Sequence, residues 1–476
     1  MHRFSYLLFT LLLAGSLWTF KSHALQVYFS PQKNLDTVVI EEIQKAKKSI
    51  DIAIYTFRSE PIVAALVEKL KSVPEFELRL LIRKVSLDDM LPYMNPLEKT
   101  LLALNLKSTN IRFVNVTNHH KFMLVDQKTL VNTSGNFNDS ELAATYDENL
   151  FVCSRSCPDL VKAFQSEFDY LYEHSNFLLL DEVRPFRQTA LTYDSKKFKA
   201  TALFTSENFE PSQRADRLVF RLQKDLEVGW VEKNILEHIA LAKKSIKVAT
   251  GHLRSYTLAE ALRTAAQKGI QVELILDSQE YLSPKFQALE DQEKEACLQS
   301  GESLEQCVET GFHFGRWLHE QGVEVYFKYY MIFWDFIEAP QMHHKYMIVD
   351  DNVVLTGSHN WSKNAEFKTF ENKAVIRHKA SVQSFINNFK RLKNYGSGEL
   401  QKLKKQWAQE AQNIDLIFEP MALSVSDIDS LRDLLSKKCP ALFKNSDTLP
   451  ATDLAEDETE ALSSASKHVC KVQSEQ

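Results

Sequence analysis

The sequence predicts an α/β protein made of one unit used twice, and three observations predict it. An eight-residue stretch, Ile43 to Ile50 (IQKAKKSI), matches Ile239 to Ile246 (IALAKKSI) at an offset of 196, and the match runs on without a gap. Arg58-Ser59 meets Arg254-Ser255, Ala65-Leu66 meets Ala261-Leu262, and Glu77-Leu78 meets Glu273-Leu274. In each copy an amphipathic helix, a strand (Ile50, Ile52, Ile54; Ile246, Val248), a second helix and a second strand (Leu78 to Ile82; Val272 to Leu276) follow one another, and such alternation gives layered sheets with many parallel strands. A polar pattern also recurs, once at His119 to Asn136 (HHKFMLVDQKTLVNTSGN) and once at His343 to Asn360 (HHKYMIVDDNVVLTGSHN), at an offset of 224.

Taken in chain order, residues 1–24 come first. Arg3, an apolar run from Tyr6 to Phe20 and the small-residue exit Ser22-His23-Ala24 read as a secretory signal peptide, because about 15 apolar residues are short for a bilayer some 30 Å thick. The competing reading is an uncleaved anchor. The first unit is expected over residues 25–195 and the second over 196–396. The change of offset means that the second copy carries about 28 extra residues ahead of its motif, and this insertion contains Cys297 and Cys307. Residues 397–476 read as a tail: a Gly-Ser-Gly start, a helix over Glu399 to Gln412, and a polar, acidic end around Leu449 to Glu460.

Apolar residues make up 44% of the chain and charged residues 25%, the balance of a globular protein with a sizeable core. The leader holds two basic residues and no acid, so its removal leaves 55 of the 57 basic residues against 63 acidic ones. An acidic surface is not the footprint of a long nucleic-acid tract, although one cleft can be basic on an acidic protein. The six cysteines suit an oxidising compartment. Proximity pairs Cys153 with Cys157, Cys297 with Cys307, and Cys439 with Cys470. A zinc site on Cys153 and Cys157 would need a second such pair, which is missing.

Both motifs read His-x-Lys, four residues, Asp, six residues, then a small residue, Ser, one residue and Asn: His119, Lys121, Asp126, Ser134 and Asn136, then His343, Lys345, Asp350, Ser358 and Asn360. If Lys121 to Val125 and Lys345 to Val349 are strands, each histidine shares a face with its lysine. A turn and a second strand then return the serine and asparagine beside them. Ammonium, hydroxyl, carboxamide and imidazole on one patch suit a phosphate. Two such patches facing each other across a pseudo-two-fold axis would let one histidine attack phosphorus while the other protonates the leaving alkoxide and later activates water, with the lysines countering the transition-state charge. No metal or cofactor is required.

This doubled pattern resembles the phospholipase D superfamily over most of residues 26–395. The opening Val27-Tyr28-Phe29-Ser30-Pro31 and the run Ala46 to Tyr55 resemble its small-nuclease and mitochondrial-type branch. The resemblance implies two duplicated α/β/α sandwich units related by a pseudo-two-fold axis, with the active site at their interface, and a two-step phosphodiester exchange. It implies that a glutamate downstream of each motif bonds a histidine, a place filled by Glu148 and Glu371, and that the first-motif histidine, His119, is the nucleophile with His343 as acid and base. Asp126 and Asp350 enter as motif members whose chemical role stays open between catalysis and shaping a turn. The pattern's glycine is Thr133 in the first copy, which is expected to crowd that half. His120 and His344, alternating with the catalytic candidates, are expected in the core.

The expected function is hydrolysis of the phospholipid head-group phosphodiester to phosphatidic acid by a secreted or periplasmic enzyme in transient contact with a membrane surface. The alternatives are a nuclease or other nucleic-acid phosphodiesterase using the same site, and an inactive binding protein. Phospholipid synthases of the superfamily rank lower, since amino-terminal membrane helices are not legible. The aromatic run Tyr326 to Phe336 reads either as a lipid-facing entrance or as a buried strand and loop. A duplicated chain can complete its site as a monomer, so no protein partner is needed.

Overall fold

In the computed structural model, residues 25–83, 110–138, 141–142, 146–177, 201–214, 217–282, 284–301, 307, 311–329, 341–396 and 421–438 are described. The leader, Cys439, Cys470, residues 330–336 of the aromatic run and the expected tail features at 399–412 and 449–460 lie outside them.

The first unit runs through β1 (Gln26–Phe29), β2 (Ser49–Ile54), β3 (Glu77–Ile82), β4 (Ile111–Phe113), β5 (Thr117–Asn118), β6 (Lys121–Val125), β7 (Thr129–Thr133), β8 (Asn149–Cys153) and β9 (Asn176–Phe177). The second runs through β10 (Ala202–Phe204), a β11 (Phe209–Arg214) and β12 (Arg217–Leu222) hairpin, β13 (Ser245–Thr250), β14 (Gln271–Asp277), β15 (Glu324–Tyr329), β16 (Lys345–Val349), β17 (Val353–Gly357), β18 (Thr369–Phe370) and β19 (Asn372–Ile376), with β20 (Met421–Ser424) after them. The sheet orders are β1-β8-β7-β6-β2-β3-β4-β9 and β10-β19-β17-β16-β13-β14-β15-β20, which match strand for strand. The duplicated α/β architecture expected from the repeat is therefore present. The chain beyond residue 396 adds to it, because β20 pairs with β15 and completes the second sheet.

Local sequence explains the repeated crossovers. Ser59 and Ser255 cap the helices Glu60–Ser72 and Tyr256–Gln267 by accepting from the backbone N–H of Ile62 and Leu258. Each helix carries the chain from one strand to its parallel neighbour, β2 to β3 and β13 to β14. The motif strands β6 and β16 are buried along their whole length. Covered on both faces, they read as continuous apolar runs rather than as alternation.

Each sheet has one core of its own and one that it shares. Leu35, Val39, Ile62 and Leu66 pack on the first sheet, and Val231, Ile235, Leu258 and Leu262 on the second. A third cluster joins the units, with Phe122, Phe164 and Phe168 from the first and Tyr346, Phe370 and Phe385 from the second. The helix Pro158–Glu173 lies on β6 and β7 and reaches β10, while Lys379–Asn394 lies on β16 and β17 and reaches β1. Each unit is thus a sheet between helices, and its inner helix also braces the other unit. Cys153 is bonded to Cys157 and Cys297 to Cys307. Of the aromatic run, Phe327 and Tyr329 are buried in β15. Among the described residues no helix is long and apolar enough to cross a membrane.

Candidate active site

The two motifs meet where the units meet. β5 and β18 form a short parallel ladder, Thr117 with Thr369 and Asn118 with Phe370, and the next residues are His119 and Glu371. The His119 N–H donates to the Phe370 carbonyl and the His343 N–H to the Asp147 carbonyl, both at 3.0 Å. This pairing puts each histidine beside the glutamate of the opposite unit. His119 Nδ1 lies 2.7 Å from Glu371 Oε1, and His343 Nδ1 lies 2.5 Å from Glu148 Oε1. Both imidazoles keep 12% of their side-chain surface exposed while Glu371 keeps 1% and Glu148 none, so the carboxyls are sealed behind rings that solvent reaches.

Lys121 and Lys345 are fully buried. Lys121 Nζ lies 2.9 Å from His119 Nε2, whereas Lys345 Nζ donates to the His343 carbonyl at 2.9 Å. Ser134 Oγ donates to Glu148 Oε2 and accepts from the Asn149 N–H; Ser358 Oγ accepts from the Asn372 N–H. Asn136 is spent on the scaffold, accepting from the Thr56 N–H and donating to Glu141, while Asn360 Oδ1 is buried with no hydrogen-bond partner. Thr133 does not crowd the histidines: its hydroxyl accepts from the Gly135 N–H. At Gly357 a Cβ would come within 2.2 Å of the Asn372 carbonyl oxygen, so only the second copy needs the glycine.

Asp126 and Asp350 are elsewhere. Each sits at the far end of its motif strand, about 16 Å along it from the lysine, at a φ of 51° and 53°. Asp126 accepts from the N–H groups of Lys47, Lys48 and Ser49, and Asp350 from those of Lys243, Lys244 and Ser245. The two repeats seen in the sequence, Lys-Lys-Ser and the motif aspartate, are therefore two sides of one hydrogen-bonded turn. Partial burial works against the charged carboxyls, but the three N–H donors outweigh it and hold both below the usual carboxylate range. Grouping them with the catalytic candidates is corrected accordingly. Asp350→Ala is expected to cost about 1–3 kcal/mol of stability in a urea titration while leaving turnover per folded molecule intact.

Similar geometry at the two histidines hides unlike electrostatics. Burial works against the Glu371 carboxylate, but His119 and Lys121 overcome it and hold the group at about 2. Burial lowers His119 to about 4, with Glu371 opposing and Lys121 adding to the shift. An ionised Glu371 can only accept, so neutral His119 carries its hydrogen on Nδ1 and presents the Nε2 lone pair, the atom that faces Lys121. Burial pushes Glu148 up to about 8, against Lys345 and Ser134, and drives His343 well below its ordinary value. A protonated Glu148 donates to His343 Nδ1, which leaves the imidazole hydrogen on Nε2. The two rings thus face carboxyls held in unlike protonation states. Burial also lowers Lys345 to about 7.

His120 and His344 are buried and tie the units together, His120 to Glu167 and Asn372, His344 to Asn149 and Asn388. Several site residues escaped the sequence reading. Asn149 and Asn372 each follow a glutamate, a repeated Glu-Asn that the sequence does display. Tyr55, whose ring stands edge-on to His119 at 4.8 Å, has Gly251 as its counterpart and no repeat signal. Glu141 lies 3.7 Å from His343 Nδ1. Glu141, Glu148 and His343 present atoms within 4.8 Å of one another, the one grouping among the described residues with metal-ligand chemistry. A donor and acceptor 2.5 Å apart are closer than two tetrahedral ligands about 2 Å from one ion would stand, and the pair has the spacing of a hydrogen bond.

Comparison with known proteins places the fold and the family. The family model described as "Cardiolipin synthase, PLD-like domain" matches residues 39–172 and 235–393. Phosphatidylserine synthase of Haemophilus influenzae Rd KW20 has a similar structure, with a TM-score of 0.50 and 15% identity over 81% of this chain and 92% of that one. The phospholipase D family member Nuc from Salmonella typhimurium is 22% identical over 32% of this chain and 96% of its own, with a TM-score of 0.26. No curated protein matches the sequence significantly. With the family model spanning more than half of its length and both motifs in place, the chain belongs to the phospholipase D superfamily, in the family of PLD-like domains.

Proposed function

We propose that this protein is a phospholipase D-type phosphodiesterase that hydrolyses the head-group ester of phospholipids to phosphatidic acid, outside the cytoplasm. The observation that carries the chemistry is the pair of histidine–glutamate contacts exchanged between the units, at 2.7 and 2.5 Å. In the first step His119 Nε2 forms a bond to phosphorus, the bond from phosphorus to the head-group oxygen breaks, and that oxygen takes the Nε2 proton of His343 while Glu148 resupplies Nδ1. In the second step water loses a proton to His343 Nε2 and attacks phosphorus, His343 Nδ1 returns its proton to Glu148, the phosphorus–nitrogen bond breaks, and His119 is regenerated. Lys121, Lys345 and Asn360 are the groups offered to the phosphoryl oxygens. The leader-like start and the two disulfides support export.

The family description, which names a synthase, favours a second reading in which an alcohol replaces water as acceptor of the same intermediate. Purified protein incubated with phosphatidylglycerol or phosphatidylcholine vesicles, with and without added glycerol, separates the two. The expected product is phosphatidic acid. Phosphatidylglycerol formed from phosphatidylcholine would mark transfer, and cleavage of single-stranded DNA in the absence of lipid turnover would overturn the lipid assignment.

A further inference from the structure

The two catalytic histidines differ in one respect that their motifs do not encode. His343 Nδ1 faces two carboxyls, Glu148 at 2.5 Å and Glu141 at 3.7 Å, whereas Glu371 is the carboxyl recorded against His119. Glu141 is held firmly. Its oxygens accept from the Asn136 N–H at 2.5 Å, Asn136 Nδ2 at 2.8 Å and Asn138 Nδ2 at 2.7 Å, and its own N–H donates to Asn138 Oδ1 at 2.8 Å. Three N–H donors hold its carboxyl group in place. The second unit builds the corresponding corner otherwise, since Glu366 is turned to the amides of Val231 and Glu232 and to His359.

We infer that Glu141 is a positioning residue that keeps a proton on the Glu148–His343 pair, and that this makes His343 the proton donor and leaves His119 the nucleophile. A negative charge next to a carboxyl and an imidazole favours the state in which they hold a proton between them, and it does so most strongly where solvent is excluded. Glu148 is fully buried, and its second oxygen is already taken by the Ser134 hydroxyl, so the shared proton is directed to His343. Glu371 differs: its Oε1 accepts from the Thr369 hydroxyl at 3.1 Å and serves His119, and among the described residues no second carboxyl meets that imidazole. The nearly symmetric fold thereby acquires a polarity, with the proton stored on one side of the phosphorus.

This inference rests on the two-histidine reaction proposed above, and leaving-group dependence tests it separately. A nitrophenolate leaves without protonation, whereas a glycerol alkoxide needs the acid. First-turnover rates are measured for wild type and Glu141→Gln on phosphatidyl-p-nitrophenol and on phosphatidylglycerol. The expected result is a loss of about 30-fold or more on phosphatidylglycerol, a part of the roughly 10²–10⁴ that a positioned acid contributes, against less than about threefold on the nitrophenyl ester. Were Glu141 only a clasp for the Asn136–Asn138 turn, both rates would fall together, and an unchanged ratio overturns the inference. If Glu141→Gln does not fold, Glu141→Ala, which also removes the charge, decides by the same ratio: a decrease supports the inference and constancy overturns it. A wild type that releases no nitrophenolate fails the proposed reaction itself and the inference with it.

Discussion

His343→Ala will stop turnover yet still take up a phosphatidyl group, whereas His119→Ala will do neither. The difference follows from which ring nitrogen carries hydrogen. His119 offers a lone pair because its partner Glu371 is an anion that can only accept, and His343 offers a proton because Glu148 supplies one to its other nitrogen. With phosphatidyl-p-nitrophenol, a substrate that needs no acid, His343→Ala is expected to release about one equivalent of nitrophenolate and then stall, its steady rate down by about 10²–10⁴-fold for want of a base to activate water. The stalled protein should carry acid-labile, base-stable phosphorus. His119→Ala should show neither burst nor label. On wild type with an alkyl ester, the rate should fall as pH rises through about 7 to 8, as Lys345 loses its charge and Glu148 gives up the proton that it relays. A label on His119→Ala and none on His343→Ala would reverse the assignment.

Glu371→Gln should be nearly as damaging as loss of His119 itself, and equally so for both kinds of leaving group. The amide has almost the shape of the carboxylate, but its NH₂ would donate to His119 Nδ1, move the ring hydrogen to Nε2 and cover the attacking lone pair. The wrong tautomer costs about 10⁴-fold in a serine-protease triad, and a similar loss is expected here. Thermal unfolding should change little, since the side chain stays buried beside the Thr369 hydroxyl. Glu371→Asp keeps an acceptor at a longer reach and should recover part of the rate. A Glu371→Gln variant within tenfold of wild type would show that tautomer control is not what Glu371 provides.

The parts of this site that the sequence discloses are those carried by short-range periodicity. His119 and Lys121 are two apart on a strand, so their common face follows from the pleat, and the repeat at 343 and 345 doubles the signal. The pairing of His119 with Glu371 spans 252 residues and depends on how two sheets meet, which no local pattern records. Motif membership misleads for Asp126 and Asp350, because a recurring aspartate reads equally well as a catalyst or as a cap, and only its distance from the histidines separates the two. Glu141 follows Asn138-Asp139-Ser140, a polar run that reads as an ordinary turn. Thr133 misleads in the other direction: the glycine it replaces is needed only where the Asn372 carbonyl presses on the strand.

The short ladder of β5 on β18 has a consequence for how such a chain can change over evolutionary time. It acts as a ruler: His119 and Glu371 are the next residues after paired backbone, and a slip of one residue would turn the carboxyl to the wrong side. Length can therefore accumulate wherever it does not shift that count, as in the roughly 28 additional residues ahead of the second motif, whereas a single insertion between Asn118 and His119 would silence the enzyme without touching any of its reactive groups.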